Sequence, residues 1–196
     1  MKILTIIGST RPNRATDRVA KWVATETNTV EGIEFETLDL NDYQLPFFDE
    51  PVSPRYNPER KPNQAAQQIL SKLEKADGFI VVTPEYNHSF PAVLKNMFDY
   101  IAYEVKRKPF VIVSHGTVGG ARAAEHLKLV INEVQAVAIP AFVAVVGLAA
   151  YTFDEDGNLT NEALANDPYG PVPALKGAIE EIVWYTKVLA NARLQA

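Results

Sequence analysis

The chain contains no cysteine. That absence excludes disulfide staples, thiol nucleophiles, CxxC redox pairs and thiolate metal sites, so any redox chemistry must come from a bound group. An excess of positive charge is also missing. Nineteen Lys and Arg stand against 24 Asp and Glu, a formal net charge of -5, the opposite of the broad basic field that nucleic acid or anionic lipid requires. Any anion must therefore be bound locally. No apolar run approaches the roughly 20 residues that cross a bilayer, and the segment Lys2 to Ile7 meets Gly8 too early for a signal-peptide core. The expected location is the cytoplasm, with no membrane and no nucleic acid among the partners. With 47% hydrophobic and 22% charged residues the composition is that of a folded protein. Its 196 residues are expected to form a single domain, 1–196.

What is present alternates. Lys2 to Ile7, Gly78 to Thr83, Pro109 to Ser114 and Ala141 to Gly147 are short, β-branched runs bounded by Gly, Pro or Ser, and they read as buried strands. Between them lie stretches with helical spacing: Val19, Trp22 and Val23; Ala65, Ile69, Leu70 and Leu73; Val93, Leu94, Met97, Phe98 and Ile101; Ala123, Leu127, Val130, Ile131 and Val134. A last helix runs from about Pro173 to Ala192. Ile33 to Leu38 alternates apolar with polar residues, as an edge strand does. The expected fold is α/β, a doubly wound five-stranded parallel sheet of order 2-1-3-4-5 with helices on both faces and a ligand crevice between the first and third strands. Pro62 and Pro91 are expected at first helical positions, and Ser89 as a cap.

Two stretches escape the pattern. Asn41 to Lys61 carries four prolines beside Phe47, Phe48 and Tyr56, too apolar for a solvated excursion, and is expected to wall a pocket or a subunit contact. Phe47 and Phe48 could instead pin the loop to its own core. Arg55, Arg60 and Lys61 are placed to attract an anionic nucleotide. Ala150 to Val172, turning at Asp156-Gly157-Asn158, is either a solvated excursion or a functional element.

Chemistry concentrates where strands end. The first strand opens into Gly8-Ser9-Thr10-Arg11-Pro12-Asn13-Arg14-Ala15-Thr16, with a helix beginning near Ala15, an arrangement that aims backbone N–H groups and a positive helix end at an anion. Ser9, Thr10 and Thr16 add hydroxyls; Arg11 and Arg14 can neutralise a phosphate dianion. The loop has neither GxGxxG nor GxxxxGK[ST], which disfavours dinucleotide and nucleoside triphosphate sites. The third strand ends in Thr83-Pro84-Glu85-Tyr86-Asn87-His88-Ser89-Phe90-Pro91, a proline-stiffened loop able to grip the edge of a heteroaromatic ring. The fourth ends in Ser114-His115-Gly116-Thr117-Val118-Gly119-Gly120, where glycines let a flat ligand approach the backbone.

Taken together, Gly8-Ser9-Thr10-Arg11, Pro84-Glu85-Tyr86-Asn87 with Ser89, Pro91, Leu94-Lys95-Asn96 and Asp99, and Ser114 with Gly119-Gly120 resemble the NADPH-dependent FMN reductase family of flavodoxin-like proteins. The resemblance covers roughly Met1 to Gly147. It implies that Ser9, Thr10, Arg11 and the following turn hold the FMN phosphate, with Arg14 and Thr16 standing where many members place Ser and Asn. Pro84, Glu85, Tyr86 and Asn87 then meet the isoalloxazine ring, and Ser114 and Gly116 lie on its other side. Dimers or tetramers with the flavin near a subunit boundary are also implied. The strand Phe142 to Val146, apolar on both faces, independently asks for a cover.

The expected activity is FMN-dependent transfer of hydride from NADPH or NADH to a small-molecule acceptor such as a quinone, an azo compound or a flavin, with the cofactor carrying the chemistry and no residue acting as a nucleophile. Glu85 and His115 are candidate acid–base groups, although a helix-entry carboxylate is more often solvated and a lone His more often structural. Two rivals are a flavodoxin-like electron carrier or flavin-dependent sensor, and a hydrolase using Ser9 with His115. Ser9 lacks the G-x-S-x-G elbow.

Overall fold

The β-branched runs pair as one sheet because each is short, extended and apolar on both faces. A computed structural model of the chain describes residues 1–195. It contains β1 (Lys2–Ile7), β2 (Glu34–Asp39), β3 (Gly78–Pro84), β4 (Pro109–Gly116) and β5 (Val137–Val146), all parallel, in the order β2-β1-β3-β4-β5. This is the flavodoxin-like arrangement, with the half-polar β2 at one edge as its alternation predicts.

Side-chain alternation along each strand divides the core into two layers. On one face Leu4, Ile6, Phe79, Val81, Phe110 and Ile112 meet α2 (Gln64–Lys75), α3 (Ala92–Asp99) and α4 (Ala121–Glu133). On the other, Ile3, Ile7, Ile80, Val82, Val111 and Val113 meet α1 (Thr16–Thr27) and α6 (Pro171–Arg193). Phe79 and Phe110 stack at 4.2 Å between centroids within the first layer. Among the described residues no helix is long and apolar enough to cross a membrane.

Several local expectations need correction. Pro62 precedes its helix: Asn63 is the cap of α2, its side chain accepting from the Ala66 amide at 3.0 Å. Pro91 is itself the cap residue of α3, and Ser89 does not cap. The Ser89 hydroxyl instead bonds His126 Nδ1 at 3.1 Å. β5 starts at Val137 rather than Ala141. Pro140 hides this from the sequence, but on an edge strand a missing N–H costs no ladder bond, and the pairing with β4 shifts register between Phe110 and Ile112.

The first part of the segment 150–172, up to Thr160, is not a solvated excursion, while residues 161–169 are largely exposed. It contributes α5 (Ala149–Thr152) and a hairpin closed by the Phe153–Leu159 bridge. The Asp154 carboxylate organises the turn, accepting from the Asp156 and Asn158 amides, both at 2.9 Å, and from Asn158 Nδ2 at 3.0 Å. Phe153 is fully buried against Trp22 of α1, with centroids 4.9 Å apart. Arg18 donates to the carbonyls of Ala150 and Phe153. The segment therefore braces α1, whose N-terminus faces the crevice.

Candidate functional site

The strand order puts three loops side by side. Ile7 of β1 is paired with Val82 of β3, and Pro84 of β3 with His115 of β4, so the loops that follow these strands emerge at one end of the sheet. Gly8 carries the first loop across β3, its amide donating to the Val82 carbonyl at 2.8 Å. A Cβ there would stand 3.0 Å from Leu94 Cδ2 and 3.2 Å from the Val82 oxygen, a tight fit that any larger residue meets only if Leu94 gives way.

The phosphate-type loop is held from beneath. Arg14 is nearly buried and fully engaged: its guanidinium donates to the Ser9 carbonyl, to Asp17 at 2.7 Å and to both oxygens of Asp39 at the end of β2. Burial opposes its charge, and the two carboxylates outweigh burial and raise its pKa. The structure thus corrects the expectation that Arg14 offers its charge to an anion. It braces the loop, because two carboxylates already neutralise it. Arg11 is the opposite case. It is exposed, makes no ion pair among the described residues, and stands 6.0 Å from the centroid of the Tyr86 ring.

Thr10 is exposed on the same loop, and the amides of Thr10, Asn13, Arg14 and Ala15 donate to no acceptor among the described residues. Ala15 gives α1 no side-chain cap. Uncapped amides and a helix N-terminus beside a free guanidinium fit a phosphate. Ser9 is buried; its hydroxyl shares a 2.9 Å hydrogen bond with Tyr86 Oη and accepts from the Arg11 amide at 3.4 Å.

The second loop is a tight hairpin. Tyr86 and Ser89 exchange backbone hydrogen bonds of 2.8 and 3.0 Å, while Asn87 (φ 48°) and His88 (φ 70°) both take the left-handed conformation of a type I′ turn. Pro84 is buried, Tyr86 half-buried and Asn87 exposed. Glu85 is neither solvated nor poised to move protons. Burial would lift its pKa, but Arg122 donates from Nε at 2.6 Å and from its amide at 3.2 Å, and together these hold the carboxyl below its ordinary range.

The third loop packs beneath the second. The Ser114 hydroxyl is buried and donates to the Gly119 carbonyl at 2.7 Å, so it closes the turn and is not free for a ligand. The Gly116 carbonyl accepts from Gly119 at 2.8 Å and from Gly147 at 3.0 Å. A Cβ on Gly120 (φ 72°) would lie 2.7 Å from Ser114 Cβ and 2.9 Å from the His115 amide nitrogen, so the turn requires glycine. Arg11, Glu85, Tyr86 and Asn87 line a cleft of about 390 Å³. A larger hollow of about 830 Å³ lies between α2 and β2. Its wall includes the Lys2–Glu36 and Lys72–Glu36 ion pairs, and the strand-end loops do not converge on it.

The sequence reading missed Arg122 and His126. They lie one turn apart on α4 and grip the two feet of the hairpin, Glu85 and Ser89. Their i, i+4 spacing directly after Gly119-Gly120 was the available signal. The Ser9–His115 pair needed for a hydrolase is not formed: Ser9 bonds Tyr86, and His115 Nε2 lies 3.0 Å from Thr16 Oγ1.

In the 41–61 loop Phe48 follows the core-pinning alternative, while the arginines depart from expectation. Phe48 packs edge-on against Tyr100 at 5.1 Å, and its amide donates to Asn96 at 2.9 Å. Arg55 binds Glu133 at the C-terminus of α4; Arg60 binds Glu50 and the Tyr100 carbonyl. Those helix C-termini lie at the end of the sheet away from the crevice, so neither arginine is available to a nucleotide there. Phe47 remains 81% exposed.

Burial alone pushes His115 down to about 4. Unfolded histidine takes up its proton as pH falls through about 6.5, whereas the folded chain resists until about 4. Stability is therefore full above pH 6.5 and declines between there and pH 4, by about 3 kcal/mol for this group. Urea midpoints measured across that window should fall more steeply for the native chain than for His115→Gln. Parallel profiles would show that His115 is not the group responsible.

A family model described as NADPH-dependent FMN reductase matches residues 1–150. The chain is 39% identical to an NAD(P)H-dependent FMN reductase of Schizosaccharomyces pombe, over 65% of this chain and 64% of that protein. It thus spans just under two thirds of that relative. It is 28% identical to an NADPH azoreductase of Bacillus sp. (strain OY1-2), with 100% of this chain and 98% of the other covered. The fold is similar to that of a flavoenzyme NAD(P)H:(acceptor) oxidoreductase from Paracoccus denitrificans, with a TM-score of 0.69 at 22% identity, covering 95% of this chain and 97% of that one.

Proposed function

From the premise that this chain belongs to the NADPH-dependent FMN reductase family, we propose that it is an FMN-dependent NAD(P)H oxidoreductase acting on a small-molecule acceptor, a quinone, an azo compound or a flavin. The observation that carries the reading is the free Arg11 guanidinium beside the open amides of Thr10 and Asn13–Ala15, facing the Pro84–Asn87 hairpin across one cleft. Ser9, Thr10, Arg11 and Thr16 would hold the phosphate; Pro84, Glu85, Tyr86 and Asn87 would meet the ring through backbone and Tyr86, with Gly116 behind them. FMN, when bound, supplies the two-electron hydride chemistry.

The chain's own work is placement. Arg14 fixes the phosphate loop to β2, while Arg122 and His126 fix the ring hairpin to α4. No side chain is asked to act as a nucleophile. Residues 1–196 act as one FMN-binding domain in this reading. Purified protein supplied with FMN should oxidise NADPH or NADH in the presence of a quinone or an azo dye. NAD(P)H consumption that is absent with every acceptor class would favour the carrier or sensor instead.

The assembly proposed is a homodimer or homotetramer. Arg55 ties the 41–61 loop to Glu133, which places exposed Phe47, Tyr56 and Leu129 on the α3–α4 side. A second apolar strip, Phe142, Val146 and Leu148, remains exposed at β5 although α6 covers its other face. Two separate self-contacts would generate a tetramer, one a dimer. Replacing both Phe47 and Leu129 by Ser should shift sedimentation toward the monomer. An unchanged sedimentation coefficient would remove this face from the assembly.

A further inference from the structure

His115 is the side chain through which the third loop reaches the first. Its Nε2 lies 3.0 Å from Thr16 Oγ1, and both residues are buried, at 7% and 1% exposure. Its main-chain carbonyl accepts from the Glu85 amide at 3.0 Å, so one residue touches both the ring hairpin and the first residue of α1. A threonine hydroxyl has one hydrogen to give. If the imidazole nitrogen facing it were bare, that hydrogen would point at the ring; if the nitrogen carries the proton, the hydrogen is released for another acceptor. Uncapped α1 has open amides next to Thr16, and an anion placed before them would be that acceptor.

We infer that His115 is a positioning residue for the phosphate subsite: its Nε2–H donates to Thr16 Oγ1, pins the first turn of α1 to β4, and leaves the Thr16 O–H to donate to the anion. The inference rests on the reading of the first loop as the FMN phosphate site. It assigns His115 a role that needs neither proton transfer nor contact with the flavin.

The test is a fluorescence-quenching titration with FMN and with riboflavin on His115→Leu, Thr16→Val, the double variant and His115→Gln, with melting temperatures recorded alongside. His115→Leu should weaken FMN about ten-fold and Thr16→Val at least as much, and both should leave riboflavin unchanged. The double variant should be no worse than Thr16→Val alone, because His115 acts on the anion only through the Thr16 hydroxyl. His115→Gln, whose amide N–H can donate to the same hydroxyl, should recover most of the lost affinity. Additive losses in the double variant would overturn the inference. So would His115→Leu weakening both ligands equally, with or without a lowered melting temperature. Arg11→Ala separates the two levels: if it fails to distinguish FMN from riboflavin, the phosphate reading itself falls and the role of His115 with it. If Arg11→Ala distinguishes them and His115→Leu does not, the phosphate reading stands and only the role of His115 falls.

Discussion

Arg11→Ala should weaken FMN binding by about ten- to a hundred-fold while riboflavin affinity stays nearly constant. The arginine is exposed and unpaired among the described residues, so its removal leaves no orphaned carboxylate in the protein, and the whole effect is read in the ligand. A hydrogen bond to a charged group contributes roughly 1.5 to 3 kcal/mol, which is the stated range of affinity. Arg14→Ala is the useful contrast. It strips Asp17 and Asp39 of their partner and frees the Ser9 carbonyl, so it should lower the melting temperature, whereas Arg11→Ala should not. Equal weakening of FMN and riboflavin by Arg11→Ala would move the phosphate away from this loop.

The second large effect is on stability. Phe153→Ala should destabilise the chain by about 3 to 5 kcal/mol, the usual cost of deleting a buried phenylalanine, and lower its melting point by roughly 10 °C for a chain of this size. Phe153 is fully buried on Trp22, and the hairpin that carries it packs Gly157 against α1, where a Cβ would come within 2.7 Å of the Trp22 amide nitrogen. Because Phe153 does not line the cleft, the variant should loosen FMN binding only in proportion to the fraction unfolded. Thermal melts with and without FMN check both statements. A shift of only 1 or 2 °C, on the same scaling of melting point with stability, would mean that the 150–172 segment is a solvated excursion, one of the two readings its sequence allows.

The sheet was legible because burial on both faces leaves few choices of residue. Ile3, Ile6, Ile80, Val82, Val111 and Val113 are all buried, and β-branched runs between glycines and prolines say so directly. Glu34 and Glu36, alternating with apolar neighbours, marked β2 as the edge. The strand-end loops were legible for the same local reason, and the comparison of their motifs led to the right family.

What a sequence does not show is which charge meets which. Arg11 and Arg14 stand three residues apart and look interchangeable, but only Arg14 lies within reach of Asp39, 25 residues away. Arg122 and His126 find Glu85 and Ser89 across 37 residues of chain. Phe153 lies in a stretch rich in polar residues, and its partner, Trp22, sits on a helix 131 positions earlier. Pro140 obscured the start of β5, since the harmlessness of a missing N–H depends on which neighbour the strand lacks.

The cleft at the ends of β1 and β3 is proposed to bind FMN, which the chain uses to oxidise NAD(P)H. Anaerobic mixing of the FMN-loaded protein with NADPH or NADH, followed in the visible flavin absorbance, tests it most directly. The expected result is one FMN per chain, bleaching on addition of NAD(P)H, return of the colour when a quinone or azo compound is added, and loss of FMN retention in Arg11→Ala. A chain that binds no FMN, or FMN that stays oxidised under excess NADPH and NADH alike, would contradict it.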